Sequence, residues 1–365
     1  MSKPPDAVDL TQRLVRVPST SSTSGQQHIF DLVGSQLATA GFTIRADPAA
    51  PRRYLLAHTS QPEPMLLFAC HVDTVPAGDA TRWTLGPLSG ELVDGRIVGR
   101  GSSDMKSGLA AAVTALANAQ RNQISCGLLL TADEEIGCRG ARAAVEALRA
   151  VPVGAVIVPE STSNDVLLGH RGAVWLRLTA RGRAAHGGTP ELGRNALLEL
   201  AATLLDIDSR LPRRQHKTLG TTTVNVGTMT SGTTVNIVPD LADASLDIRY
   251  VDADEPAAIH TWLAAEHPRT EARVQEQLSP VLSRANDPWI STLPAAASGH
   301  SVAPYFTDAS ALAEVLPGRP IVIWGPGQPE QAHTVNESVD SQYIQRAVQL
   351  YGQALGAWQV GPPPR

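Results

Sequence analysis

Residues 65–76 read MLLFACHVDTVP, an unbroken apolar run that stops at a histidine, an aspartate and a proline. The run through Cys70 is too short for an ordinary helix and has no alternating polar positions, so it reads as a strand covered on both faces. Another strand-like run precedes it at 53–58. Upstream, helical spacing covers 7–16 and 24–40, where Ile29, Leu32, Val33 and Leu37 form one apolar stripe ended by Gly41. Downstream, a Gly-, Pro- and Asp-rich stretch from His71 to Ser103 leads to a helix from Met105 to Ala119. A strand at 127–131, a helix near 139–149 and a strand at 153–158 follow. This alternation predicts an α/β fold with helices on both faces of a sheet.

From about Arg171 the pattern changes to longer alternating strands. VWLRLTARG, a helix at 195–207, TTTVNVGTM, LADASLDIRYV, a helix at 255–266 and ARVQEQL give the order β, α, β, β, α, β of the ferredoxin-like unit. It reads as an inserted domain at 171–284, between a first catalytic part at 1–170 and a second at 285–365. The second part contains the strand PIVIWG at 320–325 and a helix at 340–356, and the terminal GPPPR reads as a frayed tail.

A chain of 365 residues exceeds what one core usually supports, in keeping with that division. Its net charge of -5 argues against nucleic acid as a partner. Cys70, Cys126 and Cys138 are odd in number and lack C-x-x-C spacing, which predicts reduced thiols and a cytoplasmic setting. The start, MSKPPDAVDL, has no apolar signal core, and no run reaches the length of a membrane span, so no membrane partner is expected.

Three segments carry the chemistry. His71 and Asp73 stand just beyond one strand, Asp104 stands before a helix in GRGSSDMKSG, and Glu134 and Glu135 follow another strand in TADEEIG. Ligands of open α/β sheets collect beyond the carboxyl ends of strands, so all three can reach one site. Glu160 in VPES and His333 in AHTVNES extend the set.

Over nearly its whole length the chain resembles the metallopeptidase and deacylase family containing acetylornithine deacetylase, succinyl-diaminopimelate desuccinylase, aminoacylase and the glutamate carboxypeptidases. The matching runs are HVDTVP, W-x-x-x-P-x-x-G, DGRIVGRGSSDMKSG, ADEEIG, AAHGG, N-x-V-P-D, D-I-R and AHTVNE. The resemblance implies a mixed-sheet α/β catalytic domain with an inserted ferredoxin-like α+β lid and dimerisation domain. It also implies that His71 and Glu160 bind one divalent ion, Glu135 and His333 bind another, and Asp104 bridges both. One imidazole and two carboxylates per ion leave an open position, as catalysis requires, and the absence of thiolates suits zinc, with cobalt or manganese as alternatives.

By the same resemblance Glu134 is the general base toward a metal-bridging hydroxide, and His186 stabilises the oxyanion. Asn236 and Arg249 hold the substrate carboxylate, for which an arginine fork is geometrically suited. Asp73 lies near enough to His71 to accept a proton from the ring nitrogen that holds no metal. The inserted domain is expected to pair with its twin in a homodimer, with His186 reaching the neighbour's site. Departures from the family pattern are Ser161 and Thr162 after Glu160, where many members have Pro-Thr, and Gly187 and Gly188 in place of serines. Asp308 in FTDAS matches a family aspartate near the site and is expected only to support it. The implied activity is cleavage of the amide bond of a small N-acyl amino acid, as in acetylornithine deacetylase. A dipeptidase or carboxypeptidase on the same scaffold is the alternative, and a non-catalytic metal- or ligand-binding relative is a remote one.

Overall fold

The strand Met65–His71 alternates its side chains between two buried layers, which is why no polar residue interrupts it. Leu66, Phe68 and Cys70 pack with Leu128, Leu130, Ile157, Trp324 and Tyr351 on one side. Leu67 and Ala69 pack with Leu129, Val156, Leu148 and Leu312 on the other. The computed structural model that gives this arrangement describes residues 6–294 and 302–359, and the expected GPPPR tail lies outside them.

The central sheet is mixed. Its six strands run in the order Thr43–Ala46, Tyr54–His58, Cys126–Thr131, Met65–His71, Val153–Val158 and Ile321–Ile323. The last four are parallel to one another, and at one edge Tyr54–His58 pairs antiparallel with them and Thr43–Ala46 antiparallel with Tyr54–His58. Helices cover both faces. Ser107–Arg121 is rich in alanine, and its buried Ala110, Ala111 and Ala112 allow close packing in the layer that also holds Leu350 and Ala354 of the helix Ser341–Gln359. At the start of the chain Asp6 caps the helix Ala7–Val15, its Oδ1 accepting from the amides of Val8 and Asp9 at 2.9 and 3.2 Å.

Two local features differ from the expectation. The helix near 139–149 is two short helices, Arg139–Ala143 and Val145–Arg149, parted at Ala144. The Gly-rich stretch before Ser103 contains a hairpin, Glu91–Val93 with Arg96–Val98, to which Ser338–Asp340 adds a third strand. Asp94 and Gly95 both have positive φ, 49° and 80°, the two-residue turn that an Asp-Gly pair favours.

The chain divides into two units, one formed by the described residues up to Gly169 and from Val281 onward, the other by His170–Pro280. The insert was expected at 171–284; Val281 instead packs with Ala309, Leu312 and Ile321 of the larger unit. The smaller unit is an antiparallel sheet in the order Thr223–Ser231, Leu241–Tyr250, Gly172–Arg181, Thr270–Leu278. Alternate residues Ala242, Ala244, Leu246, Ile248 and Tyr250 share a core with Leu200, Ile207, Ile259 and Leu263 from its two helices, the ferredoxin-like arrangement. No helix of the described residues is long and apolar enough to cross a membrane.

Candidate metal centre

The four parallel strands end on the same side of the larger unit, and the acidic and imidazole side chains follow those ends. His71 is the last residue of its strand, Glu134 and Glu135 come just after Cys126–Thr131, and Glu160 just after Val153–Val158. Asp104 precedes the helix Ser107–Arg121 across a cis peptide to Met105. His333 lies in the loop between Ile321–Ile323 and Ser338–Asp340, with φ of 62°.

Among the described residues two groups have the spacing of metal ligands, His71–Asp104–Glu160 and Asp104–Glu135–His333. His71 Nε2 is 3.2 Å from Asp104 Oδ1 and 3.4 Å from Glu160 Oε1. His333 Nε2 is 3.2 Å from Asp104 Oδ2 and 3.2 Å from Glu135 Oε1. Asp104 therefore turns one oxygen to each group. Ligands about 2.0–2.1 Å from a tetrahedral zinc stand about 3.3 Å apart, which is the spacing of each imidazole from its two carboxylates.

Electrostatics points the same way. Burial, reinforced by the charge of Asp104, pushes Glu160 up to about 8, and burial raises Glu135 despite its hydrogen bond with His333. Glu134 is raised well above the carboxylate range, again chiefly by burial. Burial would raise Asp104 too, but hydrogen bonds from His333 and His71 hold it far below its usual range. Hydrogen bonds to Asp104 and Glu135 push His333 up to about 10. Burial thus opposes ionisation of Glu134, Glu135 and Glu160, whereas Asp104 stays ionised between the two imidazoles. Both rings meet them through Nε2, the nitrogen that a divalent ion would take.

Asp73 is fully buried, and its carboxylate accepts from the amides of Glu134 at 3.0 Å and Glu135 at 3.2 Å and from Ser21 Oγ at 2.7 Å. The closest partner of His71 Nδ1 is the Asp73 carbonyl at 3.0 Å, with the carboxylate at 3.5 Å. One aspartate thereby fixes the ring of His71 and the turn that carries both glutamates. Asp308 is buried beside them, accepting from Thr131 Oγ1, and burial pushes it up to about 6.

His186, Asn236 and Arg249 belong to the smaller unit. The loops of the first two lie side by side, with the Gly187 amide donating to the Asn236 carbonyl at 2.7 Å. A Cβ at Gly187 would stand 3.0 Å from that carbonyl oxygen, so glycine permits the approach. His186 is exposed, and its Nδ1 accepts from the Gly188 amide at 2.9 Å, which leaves Nε2 as the protonated nitrogen of the neutral ring. Arg249 is forked onto Asp247, two residues before it on the same strand face, at 2.9 to 3.1 Å.

Sequence reasoning assigned no role to Arg100 or Glu337. Both are buried, and Arg100 Nη1 donates to Glu337 Oε2 at 2.5 Å. They stand inside the runs GRIVGRGSSD and AHTVNE, but nothing in the sequence marks these two charges as buried partners.

Residues 67–357 match the family described as Peptidase family M20/M25/M40. The chain is 34% identical over 281 residues to a succinyl-diaminopimelate desuccinylase of Rhodospirillum centenum, covering 71% of each chain. It is also 34% identical over 279 residues to the enzyme of that name from a Caulobacter species, covering 72% of this chain and 70% of the relative. Among solved structures, a metallo-carboxypeptidase of the M20 family from Sulfolobus solfataricus superposes with a TM-score of 0.81 at 19% identity, covering 98% of this chain and all of that one. A dinuclear metal-binding peptidase of the same family from Bacillus subtilis superposes with a TM-score of 0.69 at 15% identity, covering 97% and 98%. At such identities these two likenesses speak for the fold.

Proposed function

The chain belongs to peptidase family M20/M25/M40 and is a metal-dependent amidohydrolase, and from that premise we propose that it cleaves the amide bond of a small N-acyl amino acid at a two-metal centre. The observation that carries this reading is the pair of ligand groups sharing the two oxygens of Asp104, with the buried Glu134 beside them. His71, Asp104 and Glu160 would hold one ion and Asp104, Glu135 and His333 the other. Two divalent ions, zinc before cobalt or manganese, would supply Lewis acidity toward the scissile carbonyl and lower the pKa of an attacking water.

The chain's own groups then have distinct tasks. Glu134 takes the proton of the attacking water and returns it to the leaving amine. Asp73 holds the amides of Glu134 and Glu135, so base and ligand keep a common register. His186, with Nε2 protonated, donates to the developing oxyanion, in a homodimer at the neighbouring subunit's site. Arg249 and Asn236 bind the substrate carboxylate, which must share or replace Asp247 on the arginine fork.

Pairing of two copies through the smaller unit is supported by apolar side chains left in solvent. Leu198 and Leu205 are 66% and 74% exposed on its longer helix, and Val226 and Met229 are exposed on the edge strand Thr223–Ser231. The free, buried Cys70, Cys126 and Cys138 support action in the reducing cytoplasm. Two relatives bearing the name desuccinylase favour a succinyl-like acyl group.

The test is hydrolysis of N-succinyl amino acids, N-acetyl amino acids and dipeptides by protein stripped of metal and then reloaded with zinc or cobalt. Turnover of N-acyl substrates that returns with metal is expected. Preference for dipeptides would establish the peptidase reading, and full metal binding without turnover of any of these substrates would refute N-acyl amino acid cleavage and favour a non-catalytic metal- or ligand-binding relative.

A further inference from the structure

Arg100 and Glu337 touch both ends of the ligand set without contributing a ligand. Glu337 is fully buried, and its Oε1 accepts from the amides of Ser103 at 2.9 Å and Asp104 at 3.1 Å. Its other oxygen accepts from Arg100 Nη1 at 2.5 Å. Arg100 Nη2 donates to the carbonyl of His333 at 3.4 Å, and the guanidinium carbon lies 5.4 Å from the centre of the Trp83 ring. The Gly99 amide also donates to the Glu337 carbonyl at 2.8 Å, which ties the two segments a second time. We infer that Glu337, clamped by Arg100, is a positioning residue that sets the bridging carboxylate of Asp104 and the imidazole of His333 in register.

The physical case is one of leverage. Asp104 presents one oxygen to each ligand group, so a small displacement of its backbone misplaces a donor in both. Its amide and that of Ser103 converge on a single carboxylate oxygen, and a carboxylate is the side chain best able to accept both while facing a guanidinium. His333 has the opposite problem. Its ring is half-exposed, so fewer neighbours hold it, and its backbone sits in the sparsely populated left-handed region. The bond from Arg100 to its carbonyl anchors the residue from behind. Trp83 covers the guanidinium and limits its motion. Outer partners of this kind typically alter metal affinity or activity by about 10- to 100-fold when removed.

The inference rests on the two-metal reading, and the experiment separates them. Wild type, Glu337→Gln, Glu337→Ala and Arg100→Lys are stripped of metal and titrated with zinc and cobalt. Stoichiometry is read by mass spectrometry, affinity by competition with a chromophoric chelator, coordination by the cobalt absorption spectrum and folding by circular dichroism of the metal-free proteins. In Glu337→Gln an amide N–H₂ must face either Arg100 or the two backbone amides, donor against donor. Both ions should therefore bind about 10- to 100-fold more weakly, with a changed cobalt spectrum. Arg100→Lys keeps the charge but not the fork, and should weaken the His333 group more than the His71 group. A merely structural role would lower the metal-free melting temperature and leave affinity and spectrum unchanged. A folded Glu337→Gln protein holding both ions as tightly as wild type, with an unchanged spectrum, overturns the inference. Should the Glu337 variants not fold, Arg100→Lys decides by the same readouts. Wild type that binds no metal would overturn the two-metal reading and this inference with it.

Discussion

The two ligand groups contain the same donors, one imidazole and two carboxylates, on unlike supports. In the first, His71 terminates a strand of the central sheet and Glu160 follows another, and both side chains are almost fully buried. In the second, His333 projects from a loop with half its side chain in solvent. Equal chemistry with unequal burial has a consequence for the protein. Removing a buried donor leaves unsatisfied charges in a low dielectric, whereas removing an exposed one lets water replace it. The first group is part of the folded core, and the second is closed by a loop that Arg100 must hold from behind.

The harshest way to break the comparison is Asp104→Ala, which removes a donor from both groups at once. Metal content should fall from two ions to fewer than one per chain, and hydrolysis should drop by more than the roughly 100-fold typical of losing an outer partner. Two retained ions would mean that Asp104 is not shared. Glu134→Ala separates base from ligand: both ions should stay while the rate falls about 10²- to 10⁴-fold. Near-normal turnover with both metals bound would refute the base assignment. The finest contrast is His71→Ala against His333→Ala. Each should lose one ion by mass spectrometry, but thermal melts of the metal-free proteins should differ. His71→Ala should cost about 1–3 kcal/mol of stability, because Glu160 loses its buried partner. His333→Ala should cost measurably less than His71→Ala, because water can replace its half-exposed ring beside Asp104 and Glu135. Equal destabilisation would show that burial does not distinguish the groups.

Much of the architecture is legible in particular stretches. MLLFAC and CGLLL are short runs without a charged or polar side chain, bounded by polar residues, and both form strands buried on two faces. The regular alternation in LADASLDIRY matches a strand with one face on a core. The hairpin around Asp94 and Gly95 was hidden by flanking strands too short to show a period, although its turn residues are typical. For the site, the ligand types and their positions after strands could be read, and the resemblance grouped them. The roles of Arg100 and Glu337 could not be read, since they are 237 residues apart and act largely on backbone atoms of other segments.

By itself the sequence determined the alternation of elements, and hence an α/β body with a ferredoxin-like insert, because side-chain periodicity reports directly which faces are buried. It also determined that acids and imidazoles of metal-binding type follow the strands. Only the tertiary structure decided that the strand Met65–His71 lies between Cys126–Thr131 and Val153–Val158, and that Asp104 divides its oxygens between two histidines. Only the tertiary structure decided that Asp73 holds the Glu134–Glu135 turn and Glu337 the Asp104 backbone. Such pairings depend on strand order and on the direction of individual hydrogen bonds, and no local pattern along the chain records either.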